Sequence, residues 1–217
     1  MAIKYAPETG GAPVPVLGIT YAPADGSPVK TIKRVTRDGV QIWPSWAFFD
    51  DFQRTTIGTA WTGSGALIES GYLKKNNTNG SADYWTAQTF TGDDRTVRVV
   101  LGPIQDSQQR ASILLGSSAS YVFVEFSKSG GVIGDYDGYA WNNRADVPSM
   151  ALLTGDVLEL TRVGTSLVLK RNDVTVVTAS SSQGRGTAHR RVALSVRRNS
   201  NVFGTYYGPT FDSVGVR

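Results

Sequence analysis

The sequence predicts an all-β protein built as an antiparallel β-sandwich or barrel, and two observations support this. Apolar residues alternate with polar ones in many short runs, such as "TVRVVLG", "SYVFVEFSK" and "RRVALSVRR". Clusters of Gly, Asn, Asp and Ser separate these runs, as expected for turns between strands. No segment carries a convincing helical repeat of apolar residues. We therefore expect the alternate apolar positions to form one core between two sheets.

Composition limits the classes of protein that need to be considered. The chain has 217 residues, 40% of them hydrophobic, which suffices for one sizeable core or a core with an appendage. It contains no cysteine, so no disulfide scaffold or thiolate chemistry is available. We read no signal peptide and no membrane-spanning run. The net charge of +4 is modest and no nucleic-acid-binding motif is visible, so we do not expect nucleic acid as a partner. We expect no membrane partner either.

Residues 1–45 differ from the rest of the chain. Five of the nine prolines lie within the first 28 residues, together with several glycines, and no strand or helix periodicity is visible there. Residues 29–44, "VKTIKRVTRDGVQIWP", predict a hairpin around Asp38-Gly39. Neither an extended arm nor a lone hairpin can bury itself, so both need a surface to dock on.

We expect that surface to belong to a neighbouring subunit or another protein, with the arm folding back on its own domain as the alternative. Residues 1–45 are therefore interpreted as an attachment segment, residues 46–217 as the sandwich, and the protein as a homo-oligomer. The expected apolar anchors of the attachment segment are Tyr5, Val14, Val16, Leu17, Ile42 and Trp43.

The stretch "WAFFDDFQR" raises the question of a catalytic carboxylate pair. Asp50 and Asp51 are adjacent on a predicted strand, so their side chains point to opposite faces and cannot act together as acid and base. We expect one of them to accept hydrogen bonds from the backbone or an arginine near the closing strand, and the other to be solvated.

Residues 46–217 resemble the concanavalin-like (laminin-G-like) jelly-roll family. The resemblance lies in the opening "WAFFDDFQRTTIGTAW", the closing "YYGPTFDSVGVR" and the hairpin "GDVLELTRVGTSLVLKRNDVTVV". It implies a jelly-roll β-sandwich whose opening and closing strands lie near one another. Jelly-roll glycosidases carry a Glu-x-Asp-x-x-Glu strand, which this sequence lacks, so we expect a protein that is not an enzyme.

Two aromatic stretches are candidate glycan-binding sites. "DYDGYAWNN" offers Tyr136, Tyr139, Trp141 and Asn142, and "NNTNGSADYW" offers Tyr84 and Trp85. Asp135 and Asp137 could supply oxygen ligands to Ca²⁺, and no other cofactor is expected. The alternative is that these are ordinary turns whose aromatic residues cap the sandwich or pack on a neighbouring subunit.

A second resemblance points to a biological setting. "SPVKTIKRVTRDGVQIWPS" is similar to a hairpin of minor tail and other virion proteins of phages that infect actinobacteria. It implies a structural protein of the virion, assembled in the host cytoplasm and held to other virion proteins by residues 1–45. The alternative function is a carbohydrate-binding or receptor-binding module that recognises a host cell-surface glycan.

Overall fold

The structure is a computed structural model that divides the chain into two compact units, Met1–Ser45 and Trp46–Arg217. It describes residues 46–104, 109–202 and 204–217. In the first unit it describes only the backbone of four short strands.

The first unit contains two antiparallel strand pairs. β1 (Ile19–Tyr21) pairs with β2 (Lys30–Ile32), and β3 (Val35–Arg37) pairs with β4 (Val40–Trp43). The β3–β4 pair lies on either side of the predicted Asp38-Gly39 turn. β1 was not expected, because a three-residue strand is too short to show alternation. Of the predicted anchors, Tyr5, Val14, Val16 and Leu17 lie outside the described residues, as do the side chains of Ile42 and Trp43 on β4.

The second unit is a sandwich of two antiparallel sheets with eight strands each. The back sheet has the order β17-β16-β15-β10-β20-β8-β7, with β5 also paired to β20. In chain order, its strands are β5 (Phe48–Asp50), β7 (Ala66–Glu69), β8 (Tyr72–Lys75), β10 (Arg95–Leu101), β15 (Val157–Val163), β16 (Ser166–Arg171), β17 (Val174–Ser180) and β20 (Phe211–Val216).

The front sheet has the order β14-β13-β12-β11-β18-β9-β6, with β19 also paired to β18. In chain order, its strands are β6 (Trp61–Thr62), β9 (Gly80–Thr86), β11 (Ala111–Ser117), β12 (Ser120–Ser127), β13 (Gly130–Tyr136), β14 (Trp141–Val147), β18 (Arg191–Asn201) and β19 (Gly204–Tyr207). A single 3₁₀ turn, Thr187–His189, is the only helical element among the described residues, and none of their helices is long and apolar enough to cross a membrane.

The core lies between the two sheets and follows the predicted alternation. Val97 and Val99 of β10 are fully buried, as are Val122, Val124 and Phe126 of β12. Their strand neighbours point to the opposite face of each sheet, as the pleat requires. The prediction of an all-β sandwich is therefore confirmed.

The opening and closing strands of the sandwich are neighbours, as the sequence predicts. In their pairing Asp50 of β5 lies opposite Val214 of β20. Asp50 is buried and accepts hydrogen bonds from the Phe52 backbone, Trp61 and Arg54. Asp51, the other aspartate, is partly buried and accepts a hydrogen bond from the Gln53 backbone at 3.3 Å. The aspartate pair of the opening stretch thus serves the fold.

Candidate functional site

Aromatic side chains gather on the outer face of the front sheet, the face that points away from the back sheet. Strand register places Tyr136 of β13 opposite both Tyr121 of β12 and Trp141 of β14. Phe123 follows Tyr121 on the same face of β12, and Trp85 of β9 lies opposite Ala193 of β18. We call Trp85, Tyr121, Phe123, Tyr136 and Trp141 the aromatic cluster.

Trp141 is the exposed member of the aromatic cluster and is supported by three rings. Its ring centroid lies 5.1 Å from that of Phe123, 5.4 Å from that of Tyr136 and 5.6 Å from that of Tyr121. Edge contacts at these distances are favourable for aromatic pairs. Even so, 64% of Trp141 remains exposed to solvent. The indole is therefore held in place while much of its surface is free for a ligand.

Tyr121 lies at the centre of the aromatic cluster and keeps its proton. Burial raises the pKa of its hydroxyl well above the ordinary value, and the negative charge of Asp83 raises it further. Both effects favour the neutral hydroxyl over the charged form.

A row of polar side chains continues the outer face beyond the aromatic cluster. Register places Ser112 of β11 between Glu125 of β12 and Ser195 of β18, and Ser195 lies opposite Asp83 of β9. Hydroxyls and carboxylates beside a stacking ring are the groups that orient a polar ligand. The face thus combines an apolar platform with hydrogen-bonding groups.

The structure brings together only part of the predicted glycan-binding set. Trp85, Tyr136 and Trp141 meet in the aromatic cluster, whereas Tyr84 points into the core and is 6% exposed. Tyr139 projects from the β13–β14 turn and is 96% exposed. Asn142 points inward and donates a hydrogen bond to Asp135 at 3.0 Å. Strand parity decides these differences, because neighbouring residues of a strand face opposite sides.

Tyr121 and Phe123, which support Trp141, were not among the predicted site residues. They alternate with the core residues Val122 and Val124 in "SYVFVEF". The alternation was used to predict the core residues, and the side chains between them were not considered as a surface. Two aromatic residues at successive outward positions of one strand indicate an exposed apolar surface, and this pattern could have identified them.

The two predicted calcium ligands do not converge on one point. Both oxygens of Asp135 already accept hydrogen bonds, from Arg144, Asn142 and Ser181, and the side chain is fully buried. Asp137 caps the β13–β14 turn by accepting from the backbone N–H groups of Tyr139 and Ala140. No cluster of three or more potential metal-ligating side chains occurs in the described part of the chain. Both carboxylates are engaged by donors of the protein itself, and their assignment as calcium ligands stays a prediction.

Asp135 is ionised despite its burial. Burial alone would raise its pKa, but hydrogen bonds from Arg144, Ser181 and Asn142 outweigh burial and lower the pKa below the ordinary value of 3.8. Asp135 thus fixes β14, which carries Trp141, to β13 and to the segment that follows β17.

Comparison with known proteins identifies the fold. No protein-family model and no curated protein matches the sequence. Among solved structures, a β-glucanase from Bacillus licheniformis is similar over 78% of this chain and 96% of its own, with a TM-score of 0.57 and 12% identity. The second unit is an antiparallel jelly-roll β-sandwich.

Two further similar structures were determined with carbohydrate bound. A LamA protein from Zobellia galactanivorans, in complex with laminaritriose and laminaritetraose, matches 80% of this chain and 98% of its own, with a TM-score of 0.54 and 13% identity. The exoplasmic/lumenal domain of VIP36, in a Ca²⁺/mannose-bound form, matches 74% and 83%, with a TM-score of 0.54 and 9% identity. At such identities the likeness establishes the fold and not a shared ligand.

The expectation that the protein is not an enzyme was wrong. It rested on the missing Glu-x-Asp-x-x-Glu pattern, but the structural neighbours include a β-glucanase. A fold that hydrolases use as well as lectins does not exclude catalysis.

Proposed function

We propose that the outer face of the front sheet binds carbohydrate, with Trp141 as the stacking platform. The observation that carries this proposal is the exposure of 64% of an indole that three neighbouring rings hold in position. A rigid aromatic side chain binds a flat apolar ligand face at a small cost in conformational entropy.

The surroundings of Trp141 suit a sugar better than a purely apolar ligand. In the polar row of the same face, the Ser112 hydroxyl can donate and accept hydrogen bonds and the Glu125 carboxylate can accept them. Both can therefore bond to the hydroxyl groups of a sugar. The sugar-bound jelly-roll structures with the same fold add support from architecture.

Paired substitutions test the proposal. We expect Trp141→Ala to weaken binding of whichever test glycan the parent protein binds by about tenfold or more, because the stacking surface is lost. Tyr139→Ala removes an aromatic residue that is even more exposed but outside the cluster, and should leave binding unchanged. Binding is measured by calorimetry against laminarin and mannan oligosaccharides, and release of reducing ends is followed in the same samples. Equal effects of both substitutions would contradict the proposal.

We also propose that residues 1–45 attach the protein to a phage particle as part of a minor tail or other virion structural protein. Support comes from the division of the chain into two compact units at Ser45 and from the β3–β4 strand pair within the segment that resembles phage proteins. The full chain should co-sediment with particles that lack the protein, whereas residues 46–217 alone should not. Light scattering on both forms tests the expected homo-oligomer. Equal co-sedimentation would remove the attachment role.

A further inference from the structure

A cavity lined by arginines lies at the far end of the outer face of the front sheet. Its volume is about 440 Å³, and it is lined by Gly80, Gln109, Arg110, Arg197, Arg198 and Asn199. We call it the arginine pocket. Arg197 is on the outer face, on the same side as Ser195, and Arg110 pairs there with Glu125; guanidinium groups match carboxylate, sulfate or phosphate oxygens.

The positive charge of the arginine pocket is only partly neutralised. Arg110 forms an ion pair with Glu125, whereas Arg198 is held by neutral acceptors, Asn79 at 2.7 Å and Thr205 at 3.4 Å. Arg197 is exposed and has no side-chain hydrogen bond or ion pair within the described residues. Among the described residues, the pocket therefore has an excess of positive charge and one guanidinium group, that of Arg197, without a side-chain partner.

Lys75 of β8 is a buried cation whose positive charge acts on Arg198. Lys75 is 3% exposed, and its ammonium group donates to the neutral oxygens of Asn76 and Thr78. Burial lowers the pKa of Lys75, and repulsion from Arg198 lowers it further.

The arginine pocket and the aromatic cluster share one face of the sheet. On β18, Ala193 lies beside Trp85 of the cluster, and Arg197 points to the same side four residues further along. Trp141, the exposed member of the cluster, lies in the register row of Arg191 and four strands away from β18, so it is about 20 Å along the strands and about 19 Å across them from Arg197. The polar row with Ser112 and Ser195 lies between them. A single extended ligand can therefore contact both ends.

We propose that the arginine pocket binds an acidic group of a polysaccharide whose sugar rings stack on Trp141, so that the ligand of this face is an acidic glycan. This inference rests on the proposed carbohydrate function and specifies its ligand class. The acidic group is a carboxylate or a phosphate, both of which pair with guanidinium. The nearby Glu125 and Asp83 favour a ligand with separated acidic groups over a continuous polyanion, because a continuous run of negative charge would meet them.

Binding of four probes to the full-length protein tests the inference. The probes are laminarin as the neutral polymer, gellan oligosaccharides for carboxylates spaced along a sugar chain, phosphomannan for phosphates spaced along a sugar chain, and oligothymidylate for nucleic acid. Arg197→Gln removes the free charge and Arg197→Lys retains it. Arg98→Gln is the matched control, since Arg98 lies on the back sheet with only a 3.9 Å contact to Asp173. The melting temperature of each variant checks folding.

We expect one acidic polysaccharide to bind more tightly than laminarin, and the identity of that polymer separates carboxylate from phosphate recognition. Arg197→Gln should weaken this binding by about tenfold or more, while Arg197→Lys retains much of it and Arg98→Gln has no effect. Added salt should weaken the acidic interaction and leave laminarin binding unchanged.

Three results would overturn the inference: acidic polymers binding no more tightly than laminarin, Arg98→Gln acting as strongly as Arg197→Gln, or oligothymidylate binding most tightly. The two proposals can also fail separately. If acidic polymers still bind through Arg197 but are insensitive to Trp141→Ala, the stacking proposal fails and the pocket stands. Absence of binding to every probe refutes both.

Discussion

Arg54 and Asp50 form a two-pronged ion pair, with guanidinium nitrogens 2.5 and 2.6 Å from the two carboxylate oxygens. The indole of Trp61 donates to the same carboxylate at 2.6 Å, and the backbone of Phe52 at 2.9 Å. Asp50 therefore connects the opening strand to the turn that follows it and to the front sheet. Such a buried acceptor is costly to disturb, because each donor would lose its partner away from water.

Replacement of Asp50 is expected to destabilise the sandwich. Asp50→Asn removes the charge that pairs with Arg54, and breaking a buried pair typically costs about 3–5 kcal/mol. Because the Arg54 side chain is 34% exposed, we reduce this to about 2 kcal/mol. For a domain of this size the melting temperature should fall by roughly 4–8 °C, measured by scanning calorimetry.

Asp173→Asn is the control for this substitution. Asp173 is 69% exposed and lies 3.9 Å from Arg98, so its replacement should change stability by less than about 0.5 kcal/mol. A similar loss in both variants would show that the Asp50 network does not stabilise the fold.

Sequence patterns predicted the sheet faces well and the sheet order poorly. Alternation in "TVRVVLG" identified Val97 and Val99 as core residues because the pleat directs alternate side chains to one side. The placement of β10 between β15 and β20 depends on pairing between residues far apart in the chain. No local pattern encodes such pairing, since neighbouring strands need only present similar apolar faces.

Acid is expected to destabilise the protein through its buried aspartates. Burial acts to raise the pKa of Asp50 and of Asp135, but hydrogen bonds to their charged forms leave both values lowered. An aspartate in the unfolded chain has the ordinary pKa of 3.8, so near and below that pH the unfolded state binds more protons than the folded state. The stability that these groups contribute is therefore complete above that pH and is lost as the pH falls through their folded-state pKa. Burial raises the pKa of Asp212, which acts in the opposite sense.

Melting temperatures between pH 7 and pH 3 measure this dependence. We expect a decline that steepens below about pH 4, and a shallower decline in Asp135→Asn, which no longer titrates at that position. A decline of the same slope in the variant and the parent protein would show that Asp135 does not contribute.

The candidate site was predicted only in part because its residues were assigned to loops. In "DYDGYAWNN" only Asp137 to Ala140 form the turn, and the flanking residues belong to β13 and β14. Strand geometry therefore places Tyr136 and Trp141 on one face and Asn142 on the other. In the same way Trp85 faces outward and Tyr84 inward on β9. Residue type identified the region, but the side of each residue depended on strand boundaries.

Gly134 lies beneath the aromatic cluster, and its replacement is expected to displace Phe123. A Cβ atom at this position would lie 2.5 Å from the Phe123 ring and 2.6 Å from the Asn142 carbonyl oxygen, closer than van der Waals contact permits. Gly134→Ala should cost about 1–3 kcal/mol and alter the near-ultraviolet circular dichroism of the cluster. Gly92→Ala is the control, because its nearest atom would be 3.7 Å away. An unchanged aromatic spectrum in Gly134→Ala would mean that Phe123 can keep its position beside Trp141 even when residue 134 carries a Cβ atom.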